Sequence, residues 1–518
     1  LPLLVCAGES AVVFKNPRPQ GKSECQNLVC ALRLLQINLK TTASKSMLVP
    51  MKEPDYDVAV IGGGSGGYAA ARTTANADLR TVVIEGGQEV GGLCILRGCM
   101  PTKAWLYAAE VMHLTTHAGT WGVHPQKTSF DFAQVMARKD VLIQEFADYR
   151  REQLTRGPFE FLRAEARFVD PHTVALSTGK KLTANHFVIS TGSVVAPSPL
   201  PFLDEVGYLN SDQALVLKRL PKSLIILGGG SVGVEFAQFF ARFQVKVTLI
   251  QRSTHVLHEF DTDATDTLEK VFRREGITVF TNTKLLGATR KGGLKQVSFR
   301  HGAHEVQVEA EEILFALGRV PNTDSLDLAK AGVATENRRV IANEEMQTSA
   351  KHIYAAGDCT SPFEIVHIAV QQGETAGHNI ANPEHPRRMD YRLMTSVVFT
   401  EPQIAVLGLT EKKALLENIP YNAASYPFAD HGKALIMEAK DGFVKLLANP
   451  ATGEIIGGCC VGPVGGELIH EIIAAMYKRM TVHELAAMPH YHPTLAEIWT
   501  YPAEQLALEI QPGRSGTL

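Results

Sequence analysis

Positions 58–61 form a short unbroken apolar run, with polar residues before it and glycines after it. Short apolar runs bounded by turn residues predict strands buried on both faces. Gly62, Gly64 and Gly67 follow, then an Ala-rich stretch that predicts a helix, then a second apolar run at 81–84 that ends on Glu85. This order predicts a strand–helix–strand dinucleotide cradle. Gly62 permits the tight turn, Gly64 lets the backbone approach a pyrophosphate, and Gly67 lets helix and strand pack closely. The helix N-terminus supplies free N–H groups and a positive dipole end for phosphates. Glu85 stands where a carboxylate would grip ribose hydroxyls. The pattern then recurs. A run at 224–227 leads into Gly228, Gly230 and Gly233, a helical stretch, and another strand at 245–250. Two such units predict two bound nucleotides. The second unit carries Gln251 and Arg252 where the first carries its acid.

Directly after the first unit stands GGLCILRGCMPTK (91–103), which holds Cys94 and Cys99. The pair is a metal clip, a structural disulfide or a redox centre. A zinc site needs four ligands, usually as two close pairs, and no second pair of matching spacing occurs in the chain. A structural disulfide fits a cytosolic enzyme poorly. The redox reading has a physical basis. Pro101, near the start of the helical stretch 104–113, agrees with the preference of proline for the first turn. A cysteine at a helix N-terminus beside a lysine, here Lys103, has a lowered thiol pKa. Near the far end, HYHPTLAE places His492 five residues before Glu497. A His–carboxylate pair is a general acid/base arrangement in which the carboxylate fixes the ring. His490 is assigned no role. Cys459 and Cys460 lie in EIIGGCCVGP, which reads as a buried strand before it reads as a metal pair.

The chain has 518 residues, enough for three domains at roughly 150 residues each. Charged residues make up 20% and hydrophobic ones 45%, an ordinary globular composition. A net charge of -3 gives no hint of a nucleic-acid partner. No apolar run reaches the roughly 18 residues of a membrane helix, so no membrane partner is expected. Eight cysteines in this length do not make a secreted disulfide scaffold, and a cytoplasmic location is the default. Residues 1–50 are basic and acid-poor, with Lys15, Arg18, Lys22, Arg33, Lys40 and Lys45 against Glu9 and Glu24. That is the composition of a transit peptide, which would make the location organellar. The alternative is an upstream extension, 1–51, ahead of a natural beginning at MKEPDYDVAVIGGG. Cys6, Cys25 and Cys30 lie there and are given no role.

The two cradles, the CxxxxC pair and HPTxxE together resemble the flavoprotein disulfide reductases, a family that includes dihydrolipoamide dehydrogenase, glutathione reductase and mercuric reductase. The likeness runs from 55 to 507. It includes STGS (190–193, with Gly192), ALGRVPN (316–322, with Gly318), IYAAGDCT (353–360, with Asp358) and VVFTEPQIAVLGLTE (397–411). The resemblance implies an α/β chain with two Rossmann-like domains and an α+β dimerisation domain. It implies an FAD domain at 52–196 and 324–394, a nicotinamide-nucleotide domain at 197–323, and homodimerisation through 395–518. Asp358 would reach the flavin side chain, and Lys103 would pair with Glu235 near the flavin. Electrons would pass from NAD(P)H through FAD to a Cys94–Cys99 disulfide. Cys99 would then be the thiolate beside the flavin and Cys94 the thiol that attacks a small disulfide. His492 of the partner chain would move the proton, held by Glu497. No metal is implied. A flavin-bearing protein that lost turnover would need a broken cysteine pair or a missing His–Glu, and both are intact.

Departures bear on the acceptor. Glu374 stands where glutathione reductases carry an arginine, while Arg72 matches another glutathione-side arginine. Ser231 replaces a tyrosine that gates their nicotinamide pocket. Mercuric reductases carry a tyrosine at the place of His492 and a vicinal cysteine pair near the C-terminus, and 509–518 has no cysteine. RMTVHEL (479–485) is nevertheless similar to their sequence, and GPVGGELIHE (462–471) is similar to dihydrolipoamide dehydrogenase, which runs toward NAD. At the second cradle, neutral Gln251 would not repel a 2′-phosphate, and Arg252 could take one in a fork of hydrogen bonds. His258 stands where glutathione reductases carry a second arginine. NADPH is therefore the expected nucleotide, with NADH possible.

Overall fold

β1 (Tyr56–Ile61) and β2 (Thr81–Glu85) pair in parallel, joined by α1 (Ser65–Ala75). The computed structural model describes residues 53–360 and 363–510. The extension at 1–51, with Cys6, Cys25 and Cys30, lies outside the described residues. β3 (Glu160–Arg163) extends the pair on one side. β4 (Ala166–Asp170), β5 (Thr173–Leu176) and β6 (Lys181–Ile189) extend it on the other, in the order β3-β2-β1-β6-β5-β4. Val58, Ala59, Val60, Val82 and Val83 are fully buried, as expected of parallel strands covered on both faces.

The second unit repeats the design. Ser223–Leu227 pairs in parallel with Lys246–Ile250 and Glu312–Phe315, with helix Ser231–Arg242 as its crossover. The second strand starts one residue later than the sequence suggests, because Val245 N still bonds back to Phe240 O at the helix end. The chain then returns to the first sheet, where Ile353–Ala355 pairs in parallel with β6. The last part is an antiparallel five-stranded sheet. Its strands are ordered Thr395–Val398, Gln403–Gly408, Ile455–Gly462, Phe443–Ala448 and Asn422–Pro427. Helix Gly465–Tyr477 packs on this sheet. This is the α/β architecture with an α+β C-terminal part that the sequence led us to expect.

Cys459 and Cys460 lie on the central strand of the last sheet and are 4% and 0% exposed. Burial pushes the Cys459 thiol up to about 12, so this pair is inert core. Among the described residues no helix is long and apolar enough to cross a membrane.

Three further helices place the chemistry: α2 (Gly92–Leu96), α3 (Cys99–His117) and α4 (Phe132–Thr155). α3 is pinned to helix Ser231–Arg242 by Trp105, which is fully buried and stacks on Phe239 with ring centroids 4.3 Å apart. Phe236 and Phe240 close around the same indole. Truncating a buried aromatic of this kind costs about 3–5 kcal/mol. The seam ties the cysteine helix to the second cradle, so the two halves of the site cannot drift independently.

Candidate functional site

Each cradle is a strand, a glycine turn and a helix start, and each glycine has its own reason. Gly62 has φ +105° and Gly228 has φ +104°, a region that side chains rarely adopt. A Cβ on Gly67 would collide with Gly62 O, and one on Gly233 would collide with Gly228 O. Protein packing alone demands these four. Gly64 and Gly230 differ, since a Cβ on either would meet nothing within 4 Å. Their faces look into open space at the first turns of α1 and of helix Ser231–Arg242. That is the place where a pyrophosphate meets free backbone N–H groups. The residues therefore fit two dinucleotides.

The rest of the first cradle fits FAD as well. Gly192 (φ +68°) and Gly318 (φ +121°) flank a two-stranded ribbon, Ser193–Val195 with Arg319–Pro321, and neither would bury an added Cβ. Thr191 Oγ1 is buried there without a partner, a polar atom that a bound ligand could satisfy. Asp358 accepts from Ser193 Oγ at 2.7 Å, and Arg319 Nε donates to the same hydroxyl at 2.9 Å. Burial, then the nearby Asp358, push Glu364 above the usual carboxylate range. Glu85 closes the turn, taking Gly63 N at 2.8 Å on one oxygen and Gly87 N at 2.7 Å on the other.

In the second cradle Gln251 closes the turn instead, with Oε1 accepting from Gly229 N at 3.2 Å. It is 7% exposed. Arg252 points to solvent and makes no ion pair among the described residues. His258 is also exposed, and its carbonyl accepts from Lys412 Nζ.

The cysteines are brought together by the break between α2 and α3. Gly98 is the residue before α3, and a Cβ there would press on Leu93 O at 3.0 Å and Cys94 Cα at 3.3 Å. α3 starts on Cys99 itself, which places this residue at the positive end of the helix. Both thiols are free. The Cys94 thiol donates to Cys99 and, with Lys103, outweighs burial to pull Cys99 down to about 7. Cys94 is pushed far up for the converse reason, its hydrogen being committed to Cys99 and its sulfur partly buried.

Lys103 lies one helical turn beyond Cys99. Its Nζ is 2.9 Å from Glu235 on helix Ser231–Arg242 and 4.5 Å from the centre of the Phe399 ring. Glu235 is nearly buried and also accepts from Phe399 N at 2.9 Å. One ion pair thus joins the cysteine helix, the second cradle and the last sheet. Phe399 lies in the matching stretch 397–411, but nothing there singles it out as the residue whose ring and backbone N–H meet this ion pair.

His492 is held by Glu497, with Nδ1 at 3.0 Å from Oε2. Nδ1–H donates to the carboxylate, which leaves Nε2 as the nitrogen with a free lone pair. The His492 side chain is 78% exposed and that of Glu497 12%. Behind them His431 is fully buried, and burial pulls it below its ordinary range. Its Nε2 approaches Glu497 at 3.4 Å without hydrogen-bond geometry. His490 differs from its neighbour, since Nε2 meets Glu471 at 2.5 Å and Nδ1 meets Met488 O at 3.0 Å. With both nitrogens engaged it is a structural residue. No hydrogen bond or ion pair among the described residues joins His492 to Cys94, Cys99 or Lys103 within the chain.

Comparison with known proteins matches residues 56–373 to the pyridine nucleotide-disulphide oxidoreductase family model and 394–503 to that family's dimerisation domain. The chain is 34% identical to a dihydrolipoyl dehydrogenase of Chlamydia pneumoniae, over 86% of this chain and 95% of the relative. It is 33% identical to that of Geobacillus stearothermophilus, over 87% and 96%. Among solved structures it is similar to LpdA from Mycobacterium tuberculosis, with TM-score 0.78 and 28% identity over 87% of this chain and 99% of that one. It is also similar to the HOCl-induced flavoprotein disulfide reductase RclA from Escherichia coli, with TM-score 0.77 and 25% identity over the same shares.

Proposed function

The chain belongs to the pyridine nucleotide-disulphide oxidoreductase family, and on that premise we propose that it is an FAD-dependent reductase of a small disulfide, driven by NADPH before NADH. The observation that carries this reading is the placement of Cys94 and Cys99 on either side of the break before α3, with Cys99 at the helix start one turn from the Lys103–Glu235 ion pair.

Gly62, Gly64, Gly67, Glu85, Gly192, Gly318 and Asp358 would hold FAD. Gly228, Gly230, Gly233 and Arg252 would hold the nicotinamide nucleotide. FAD, when bound, supplies a two-electron relay between that nucleotide and the thiol pair. Cys94 attacks one sulfur of the acceptor, and the departing thiolate takes a proton. Cys99 then attacks Cys94, releasing the second half of the acceptor and leaving a Cys94–Cys99 disulfide. This is exchange through a mixed disulfide. The raised Cys94 thiol needs a base for the first attack, and His492 has a free Nε2 for that proton. Lys103 supports the Cys99 thiolate, and Glu235 holds Lys103 in place.

His492 serves the site of a second copy in this reading. Its exposure supports this, as does an apolar stripe on α3, where Tyr107, Val111 and Leu114 are 62%, 48% and 45% exposed. Such a stripe is the kind of surface that another chain covers, and the dimerisation-domain match supports a second copy in that role. The test is complementation. Mixed Cys94→Ser and His492→Ala chains should regain part of the disulfide reductase activity that each lacks alone, and hybrids with no activity would refute the shared site.

A further inference from the structure

α4 carries a charge that the fold leaves unanswered. Arg150 Nε and Nη1 are buried without a hydrogen-bond partner. The guanidinium lies 4.4 Å from the centre of the Tyr68 ring, and no acid pairs with it among the described residues. Leu154, one turn further along α4, is fully buried and approaches the first glycine turn at Gly63. That face of α4 therefore looks at the first cradle. α4 also packs against α2, the helix that carries Cys94. Burial pulls Arg150 below its ordinary range.

A second arginine nearby shows the contrast. Arg72 also lies over Tyr68, at 5.9 Å, but it is paired with Glu374 at 2.7 Å. The acid that replaces an expected arginine thus neutralises the one arginine that matched. Arg150 is left, among the described residues, as an unpaired cation on the helix that packs against the Cys94 helix. Folded proteins pair buried charges because an unpaired one is costly.

We infer that Arg150 is a specificity-determining residue that selects acceptors carrying an anionic group beside the disulfide. A planar guanidinium with two unused donors suits a carboxylate or sulfonate. The inference rests on the disulfide-reductase reading and adds to it the charge class of the substrate.

The experiment uses the FAD-loaded dimer and two aromatic disulfides of similar size, the dianion 5,5′-dithiobis(2-nitrobenzoate) and neutral 4,4′-dithiodipyridine. The readout is the ratio of their kcat/KM values in wild type, R150M and R150K. In R150M the dianion-to-neutral ratio should fall about tenfold or more, mainly through KM for the dianion. In R150K it should recover to within about threefold of wild type. An unmoved ratio in R150M overturns the assignment, and so does an R150M protein that loses its FAD, since the buried donors would then serve the flavin phosphates. A wild-type enzyme that reduces neither probe, or reduces both after Cys94→Ser, sinks the disulfide reading and the role of Arg150 together.

Discussion

In the first cradle Glu85 closes the glycine turn with one oxygen, on Gly63 N at 2.8 Å, and holds the chain just after its own strand with the other, on Gly87 N at 2.7 Å. In the second, Gln251 closes the equivalent turn with one oxygen, on Gly229 N at 3.2 Å. The residue at the end of the second strand therefore has two tasks, to close the turn and to face the ribose. Gln251 keeps the first task and changes the second. It brings no negative charge to the nucleotide, and the exposed Arg252 beside it supplies a positive one. An amide in place of the acid keeps the turn closed, and in the proposed reading it changes which nucleotide fits.

The largest test of this comparison uses the two middle glycines. Gly64 has φ -68° and Gly230 has φ -77°, values open to any residue. Valine at either should fold and fill only the ligand side. Gly64→Val should purify without flavin. Gly230→Val should purify yellow but require about a hundredfold more nicotinamide nucleotide for half-maximal flavin reduction, a loss on the scale of about 2.7 kcal/mol. If both variants lost the same ligand, the division of labour between the cradles would be wrong.

The thiol pair sits between the cradles and should be separable from both. Cys94→Ser and Cys99→Ser should each lower disulfide reduction by about a thousandfold or more, as removal of a nucleophile does. Each should keep its bound flavin and its reduction by nicotinamide nucleotide, followed by absorbance in a stopped-flow mixer. Full activity in both would end the redox reading.

Sequence and structure part company in an instructive place. The cradles were legible because glycine spacing and short apolar runs report backbone geometry directly, and backbone geometry is local. Cys94, Cys99, His492 and Glu497 were legible because each pair is close in the chain. Three features were not. Arg72 and Glu374 are 302 residues apart and meet only because α1 packs on helix Val366–Ala381. Arg150 sits mid-helix, with no motif to distinguish it from a solvated cation. Gln251 read only as a missing acid, because turn closure is a contact between side chain and backbone that spacing does not reveal. His490 beside His492 shows the same limit, since only the distances to Glu471 and Met488 O separate a locked ring from a free one.

A smaller effect is expected at the nucleotide. In a partly desolvated contact an Arg–phosphate interaction is worth roughly 1.5–3 kcal/mol, or about one to two decades in affinity. Arg252→Ala should lower kcat/KM for NADPH by about that factor and leave NADH nearly untouched. Gln251→Glu should shift preference the same way by repulsion, giving the second cradle the charge of the first. Equal kcat/KM for the two nucleotides in wild type, unchanged by Arg252→Ala, would overturn the NADPH assignment.

The smallest effect lies in pH. Cys99 is drawn down to about 7, first by the Cys94 thiol and then, against burial, by Lys103. The thiolate is the reactive form, so reduced enzyme should take up iodoacetamide with a midpoint near 7, below the roughly 8.5 of a free cysteine. Cys94→Ala removes the leading cause and should raise the midpoint most. Lys103→Met should raise it less. The sign for stability follows from linkage. A thiol whose folded pKa lies below its unfolded one contributes stability that is full above the unfolded pKa and is lost as pH falls through the folded one. Reduced wild type should therefore gain stability over reduced Cys99→Ser as pH rises from about 7 toward 9, read as a growing difference in Tm. A difference that shrinks over that window would mean that the fold holds Cys99 as a neutral thiol, and the lowered pair could not carry the proposed exchange.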